Sequence, residues 1–446
     1  MSTYYFCGVG GNGMSPLARL LVARGHRVLG SDRACDRGEN AALFAHLTRD
    51  GVVLVPQDGS AVNHSIDFFV VTRAVEESIP DIARARALGL RIIKRPLLMA
   101  ELFSASFNVA VGGTAGKSTT TGMIGRILTA AGRTPTIMNG AVMLDSGTNM
   151  VAGSPDLAVF EADESDGRHD VVGVCPRSIA VVTNISLDHF EVSELKDIFG
   201  EFVRAAAVGA VVNRDCPNSR LLEGIHPRTV TFSETGPADV CGRNLRLELT
   251  VPGHHNRANA LAAIAACTLV GIAPAEGAGA LAAFKGMHRR LELVGRARGI
   301  EVFDDFASNP GKIEASLVTL QQRAGRLIVV FQPHGFQPTR MMKAGYIEVF
   351  SRCLRPDDLL LIPPIFYAGG TANLVDGQVV PLPTDISSHD VAAGVAAQGR
   401  NARAVERRSD LPAAIAGEVR SGDVVVVMGS RDESLAELAR EILGAM

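Results

Sequence analysis

The sequence predicts an α/β protein of three domains, each built on a mostly parallel sheet with crossover helices. Three observations predict it. The chain has 446 residues, and at roughly 100–200 residues per domain that length allows two to four domains. Short apolar runs alternate with stretches of helical period, and the alternation restarts near residues 106 and 298; strands alternating with helices imply βαβ units. Two of the strand-to-helix turns are glycine-rich. The chain is 47% hydrophobic and 20% charged, enough to bury large cores.

Residues 1–105 are the first domain. A short apolar strand at 4–7 runs into Gly8-Val9-Gly10-Gly11-Asn12-Gly13, and a helix follows with Leu17, Leu20, Leu21 and Ala23 on its apolar positions. Gly25 ends that helix, a strand at 27–29 comes next, and Gly30-Ser31-Asp32 closes it. Further strands are expected at 52–55, 68–71 and 91–93. Gly8, Gly10 and Gly13 between strand and helix, with Asp32 about 20 residues on, make the dinucleotide fingerprint. The glycines let the backbone approach a pyrophosphate at the helix N-terminus. The domain is therefore expected to be Rossmann-like and to hold a diphosphate. The pattern alone does not separate NAD from other diphosphates, and a tight turn that binds nothing is the plain alternative.

Residues 106–297 are the central domain, of P-loop ATPase type. An apolar strand from Asn108 enters Gly112-Gly113-Thr114-Ala115-Gly116, and Lys117-Ser118-Thr119 opens a helix. Backbone N–H groups and the helix N-terminus suit phosphate oxygens, Lys117 suits the terminal phosphates, and the Ser118 hydroxyl suits Mg²⁺. Val111 stands where the usual loop carries its first glycine, so the loop is a variant. Strands at 157–160 and 179–183 each end in a polar run. After the first, Glu161-Ala162-Asp163-Glu164-Ser165-Asp166 places four acids within six residues. Like charges so crowded suit a cation, and Mg²⁺ on nucleotide phosphates takes carboxylates. After the second, Thr183-Asn184-Ile185-Ser186-Leu187-Asp188-His189 makes His189 a candidate second metal ligand. A helix begins near Asn256; Asn256 and Asn259 share one face and are candidates to read an adenine edge. Their plain reading is an N-cap and a solvated side chain.

Residues 298–446 begin afresh with a strand at 301–303 and continue with strands at 327–331, 359–362 and 424–428. Arg289-Arg290 precedes this domain and Asp304-Asp305 ends its first strand. An Arg can clamp phosphate bidentately, and an Asp can accept from ribose hydroxyls. Gln332-Pro333-His334 follows the next strand into the same crevice.

A formal net charge of −3 gives no reason to invoke nucleic acid or an anionic membrane surface. The seven Cys form no C-x-x-C pair, which reads as free thiols in a reducing cytoplasm. No apolar stretch approaches the roughly 20 residues needed to span a bilayer. An NAD-dependent oxidoreductase would leave the Lys117 loop unexplained, and a non-catalytic nucleotide-binding homologue would not need Lys117, Glu161 and His189.

Taken together, these motifs resemble the Mur ligase family of ATP-dependent amide-bond-forming enzymes, along nearly the whole chain. The matching stretches are Gly8-Val-Gly-Gly-Asn-Gly-Met-Ser15, Gly30-Ser-Asp32, Gly113-Thr-Ala-Gly-Lys-Ser-Thr119, Glu161-Ala-Asp-Glu-Ser-Asp-Gly167 and Thr183-Asn-Ile-Ser-Leu-Asp-His189. His255-Asn-Arg-Ala-Asn-Ala260, Arg289-Arg-Leu-Glu292, Asp304-Asp-Phe-Ala307 and Phe331-Gln-Pro-His334 complete the series.

The resemblance implies three domains and two steps. A sugar-linked carboxylate attacks the γ-phosphorus of ATP to give an acyl phosphate, and the amine of a free amino acid then displaces phosphate. It implies that Gly8, Gly10, Gly11, Gly13, Met14, Ser15, Ser31 and Asp32 hold a UDP-sugar. Gly113 to Thr119 would hold ATP, with Lys117 on the γ-phosphate and Ser118, Glu161 and His189 around Mg²⁺. Asn256 and Asn259 would read adenine, Arg290 phosphate and Asp305 ribose, while His334 and Arg340 would lie near the amino acid. The implied enzyme is cytoplasmic and a monomer or weak homo-oligomer. The pattern is nearest to the family's alanine-adding branch, with departures. Ala115 and Ser118 replace that branch's usual His and Thr. Ser308-Asn309 stands in place of a His pair, no Arg directly follows His334, and Gly429-Ser430-Arg431-Asp432 differs. The larger departures all fall in the third domain, so a specialised member using another amino acid is the alternative.

Overall fold

The computed structural model describes residues 1–72, 78–162, 177–186, 191–367, 373–375, 378–380 and 385–446. The chain divides into two compact units, Met1–Thr250 with His255–Met287, and Val251–His254 with His288–Met446.

The first unit contains two sheets. The smaller has the strand order Val53–Val55, Arg27–Ser31, Thr3–Cys7, Phe68–Val71, Ile92–Lys94, all parallel. Its central strands are apolar on both faces, as expected of a parallel sheet covered on both sides. Tyr4 stacks on Phe68 and Tyr5 on Phe69, with ring centroids 4.8 and 5.0 Å apart. Register neighbours on alternate residues put these pairs on opposite faces. The chain runs outward from Thr3–Cys7 on one side and returns to pair on the other. That switch point puts the Gly8 turn at the carboxyl edge, where open α/β sheets bind ligands.

The larger sheet has eight strands in the order Val240–Cys241, Thr229–Ser233, Gly209–Asn213, Ser178–Val182, Phe107–Gly112, Ser154–Glu161, Pro135–Met143, Thr148–Val151. Only the last pairing is antiparallel. Phe107–Gly112 lies between Ser154–Glu161 and Ser178–Val182, so the Gly-rich turn emerges with Glu161 on one side and Thr183 on the other. The helix Val192–Ala205 covers one face because Leu195, Phe199, Phe202 and Val203 fall on one stripe and are buried. Phe199 and Phe202 press so close to Gly112 that an added Cβ would stand 3.0 Å from one ring and 3.1 Å from the other.

The two sheets share one apolar core. Phe103, the last residue of the helix Arg95–Phe103, stacks on Phe160 of the larger sheet at 5.4 Å.

The second unit carries a six-stranded sheet in the order Glu292–Ala297, Ile300–Asp305, Asp423–Met428, Arg326–Phe331, Leu359–Ile362, Asn401–Ala404, with a separate pair Asn373–Val375 and Gln378–Val380. Its first strand is antiparallel and the others parallel. This differs from the sequence reading, which ended the central domain at residue 297. Glu292–Ala297 joins the third sheet because Arg298-Gly299 folds it back on Ile300–Asp305, both residues at positive φ. The strand pair Pro135–Met143 and Thr148–Val151 also escaped the sequence reading, its polar and small residues giving no clear alternation. An Ala/Gly-rich stretch forms the helix Pro274–Leu281.

Phe160→Ala should remove the shared stack and leave a cavity at the seam. The expected loss is about 3–5 kcal/mol, read as a lower urea midpoint for the first unit, with the third sheet's transition unmoved.

Candidate active site

The phosphate loop is held from the side by the end of the neighbouring strand. The Asn184 side chain binds the backbone of Ala115 twice, accepting from its N–H at 3.0 Å and donating to its carbonyl at 2.8 Å. The Thr183 hydroxyl lies 2.7 Å from the same carbonyl. Thr114 donates its N–H to the Asn184 carbonyl, and its hydroxyl accepts from the Ser186 N–H at 2.9 Å. Gly113 and Gly116 have φ of +126° and +87°. A Cβ on Gly113 would stand 2.1 Å from Thr183 Oγ1, and one on Gly116 2.2 Å from Asn259 Oδ1. The glycines are therefore required by conformation and by contact. Asn184 thus grips the backbone of Ala115 and not its side chain.

Lys117 opens the helix Lys117–Ala130, and its Nζ donates to the Gly113 carbonyl at 2.9 Å. That bond folds the ammonium back over the loop. Ser118 and Thr119 follow, both buried. Asn139, on the adjacent strand Pro135–Met143, donates to the Ser118 carbonyl at 2.9 Å. The next residue, Gly140, donates its N–H to Glu161 Oε1 at 2.6 Å. One strand thus holds both the first turn of the helix and the carboxylate beside it. Asp163, Glu164, Asp166 and His189 lie outside the described residues.

Among the described residues no group of three His, Cys, Asp or Glu could hold a metal ion by itself. The donors at the loop, a Ser hydroxyl and one carboxylate, fit a hard cation that draws its remaining oxygens from a nucleotide and water.

Asn256 and Asn259 are neither cap nor solvated. The helix starts at His254, both side chains are buried, and Asn259 Nδ2 lies 3.4 Å from Asn256 Oδ1. Asn259 also packs against Gly116, so the pair sits directly behind the phosphate loop.

In the smaller sheet, the Ser31 carbonyl receives the N–H groups of Gly8 and Val9 at 2.8 and 3.0 Å. Asp32 receives the Gly10 N–H on one oxygen and the Ala34 N–H on the other, both at 2.9 Å. Met14 and Ser15 donate their N–H groups to the Gly11 carbonyl and are buried. A Cβ on Gly13 would stand 2.9 Å from the Arg95 guanidinium, which places a cation beside this helix start. Ser31 departs from its expected part. Its side chain is fully buried and donates at 2.5 Å to Asp81, a carboxylate that also receives the Tyr5 hydroxyl at 2.8 Å and the Gly59 N–H at 2.7 Å. Ser31 shapes the loop through its backbone, and its hydroxyl belongs to the core. Asp81 carried no motif and was not legible in the sequence.

In the second unit, Asp305 also turns inward. One carboxylate oxygen accepts from the Leu291 N–H at 3.1 Å and the other from the Ser316 hydroxyl at 2.5 Å. Both carboxylate oxygens are thus engaged within the fold. Arg289 is buried at φ +56° and donates to the carbonyls of Gly429 and Asp432 at 2.8 and 2.9 Å. Its Nε lies 3.2 Å from Asp304. Arg290, half-buried, lies over the Phe306 ring at 4.6 Å. His334 Nδ1 lies 3.0 Å from the Ser430 hydroxyl. Burial, with Arg431 nearby, holds the imidazole below its usual pKa, so it is neutral at pH 7. Arg340, on the helix Phe336–Cys353, pairs with Asp385. Asn309 caps the helix Pro310–Gln321 by accepting the Lys312 N–H at 2.9 Å, and the Ser308 carbonyl accepts the Tyr346 hydroxyl at 2.8 Å.

Two expectations follow from this geometry. Gly113→Ala forces strain of about 1–3 kcal/mol into the loop, so ATP affinity should fall about tenfold, with partial recovery in Gly113→Ala/Thr183→Ala; equilibrium titration reads both. Asp304 is buried beside Arg289, and desolvation raises its pKa to about 6. A carboxyl raised above its unfolded value is fully stabilising only below that value, and the contribution is lost as pH rises through about 6. Asp304→Asn should therefore flatten the fall in stability of the third sheet between pH 4 and 7, a difference of up to about 3 kcal/mol in paired urea titrations.

The chain matches three family models in order: "Mur ligase family, catalytic domain" over residues 3–107, "Mur ligase middle domain" over 111–267 and "Mur ligase, glutamate ligase domain" over 289–431. It is 33% identical to a UDP-N-acetylmuramate–L-alanine ligase of Agrobacterium fabrum, over 96% of this chain and 93% of that one. It is 35% identical to the enzyme of the same name from Clavibacter michiganensis, over 89% and 88%. Among solved structures it resembles the UDP-N-acetylmuramate-alanine ligase of Thermotoga maritima, with a TM-score of 0.79 at 24% identity, over 100% of this chain and 98% of that one. A murein peptide ligase of Psychrobacter arcticus is similar in fold, with a TM-score of 0.67 at 21% identity and the same coverage. With models covering all three of its sheets and full-length relatives at this identity, the chain belongs to the Mur ligase family.

Proposed function

We propose that this protein joins L-alanine to the carboxylate of UDP-N-acetylmuramate at the expense of ATP, in the synthesis of peptidoglycan precursors. The observation that carries the reading is the phosphate loop of the larger sheet, held by Asn184 and Thr183 with Lys117 folded over it. A diphosphate loop on the smaller sheet of the same unit, and the full-length likeness to enzymes of that name, support it.

In this reading the Gly8–Gly13 loop and Asp32 hold the UDP moiety, with Arg95 at the helix start adding positive charge. Backbone N–H groups from Gly113 to Thr119 cradle the ATP phosphates and Lys117 neutralises the γ-phosphate. Asn256 and Asn259 face the nucleotide from behind the loop. Ser118 and Glu161, with His189, would hold Mg²⁺ when the nucleotide is bound, and the ion would supply charge neutralisation on the phosphate oxygens. Positioning and electrostatics do most of the work, because phosphoryl transfer asks little covalent chemistry of the protein. The neutral His334, steadied by Ser430, and Arg340 serve the amino-acid side, and Arg290 serves the nucleotide phosphates. The protein works in the cytoplasm without nucleic acid or membrane, as a monomer or weak homo-oligomer. A net charge of −3 gives no reason to invoke nucleic acid, and among the described residues no helix is long and apolar enough to cross a membrane.

Ser308-Asn309 favours a second reading, ligation of a different amino acid. Phosphate release with ATP, Mg²⁺, UDP-N-acetylmuramate and each amino acid in turn decides between them. Release that requires L-alanine supports the first; release with another amine supports the second. Lys117→Ala should lower turnover by about 10²–10³. Glu161→Gln should raise the Mg²⁺ concentration needed for half-maximal rate; an unchanged requirement removes Glu161 from the metal site.

A further inference from the structure

Arg19 is a buried cation that the reaction scheme does not use. It lies at mid-length of the helix Met14–Ala23, with 8% of its surface exposed. Its Nε pairs with Asp50 on its own side of the seam. Its two terminal nitrogens cross to the larger sheet, Nη1 to Asn149 Oδ1 at 2.7 Å and Nη2 to Thr148 Oγ1 at 2.9 Å. All three arms of the guanidinium are thus spoken for, in a planar geometry that no other side chain offers.

The elements joined by this fork matter. The helix begins at the diphosphate loop, where Met14 and Ser15 bind the Gly11 carbonyl. The strand Thr148–Val151 pairs with Pro135–Met143, with Thr148 opposite Met143. That second strand carries Asn139 on the Ser118 carbonyl and Gly140 on Glu161. A continuous path of hydrogen-bonded backbone and one buried guanidinium therefore runs from one loop to the other.

We infer that Arg19 is a positioning residue for the first chemical step, setting the distance between the sugar-linked carboxylate and the γ-phosphate. The inference rests on the function proposed above. The two reactants are held by different sheets, so neither loop by itself fixes their separation. Effective molarity falls steeply with misplacement, about a hundredfold for 1 Å. A strut at the seam acts on turnover and leaves the affinity of each loop for its own ligand alone.

The test uses the full-length protein and the variants Arg19→Lys, Asn149→Ala and the double variant. Lys keeps the charge beside Asp50 and loses the fork; Asn149→Ala leaves Arg19 intact, at a half-buried site where folding is not at risk. Dissociation constants for UDP-N-acetylmuramate and for ATP are measured separately by titration calorimetry, kcat by phosphate release and stability by thermal melt. The expected result is kcat lower by about tenfold in each single variant, both dissociation constants within about twofold, and a double variant no slower than the worse single one. Turnover at the wild-type level in both single variants overturns the inference, as does a loss that appears in the dissociation constants instead of kcat. If wild-type protein binds UDP-N-acetylmuramate and ATP but releases no phosphate with any amino acid, the proposed function itself fails and the inference falls with it.

Discussion

The backbone of Ala115 is bound as though Asn184 were another peptide group. Its N–H and its carbonyl are both engaged by one side-chain amide, and the Thr183 hydroxyl lies against the same carbonyl. Much of the active-site geometry depends on this clamp. A loop that must offer N–H groups to a phosphate cannot spend them on regular structure, so it has to be held by other means. Here the holding comes from the end of the adjacent parallel strand. The clamp in turn dictates glycine at 113 and 116, because the polar groups that hold the loop occupy the space a Cβ would fill.

The same economy appears on the smaller sheet. Ser31 and Asp32 receive the N–H groups of Gly8, Val9 and Gly10, and Asp81 fixes Ser31 from below. In both sheets the ligand loop is shaped by the next strand end over, and a buried polar group stands behind it. These polar clusters are satisfied internally, so they specify one loop conformation at little net cost. The two sheets are then joined by an aromatic stack and a guanidinium fork, one insensitive to small displacement and one sensitive to it.

The third sheet follows a different plan. Arg289 gathers Gly429 and Asp432 through their carbonyls and Asp304 through its carboxylate. The positive φ at Arg289, Leu291 and Arg431 marks a carboxyl edge bent to bring the ends of three strands together. Asp304 sits there at a raised pKa because burial outweighs its one guanidinium neighbour. The departures from the alanine-adding pattern occupy this edge. Asn309 replaces an imidazole with a helix cap, so part of the change serves local structure.

The sequence by itself determined the fold class and the two Gly-rich loops. The physical reason is that each of these is local. Apolar runs with the right period form strands and helices wherever they sit, and a glycine turn between strand and helix makes an anion site out of its own backbone. Tertiary structure alone decided which polar side chains face a ligand and which face the core. Ser31 and Asp305 stand in motifs at strand ends, yet both are consumed by partners distant in sequence, Asp81 and Leu291 with Ser316. Asn139, Gly140, Asp81 and Arg19 lie in no motif, and their parts depend on contacts with residues 21 to 130 positions away. The strand Glu292–Ala297 was invisible for the same reason: its partner is chosen by a turn at Arg298-Gly299 rather than by its own periodicity. Spacing records the groups a segment carries, and only packing records which of them are left to meet a substrate.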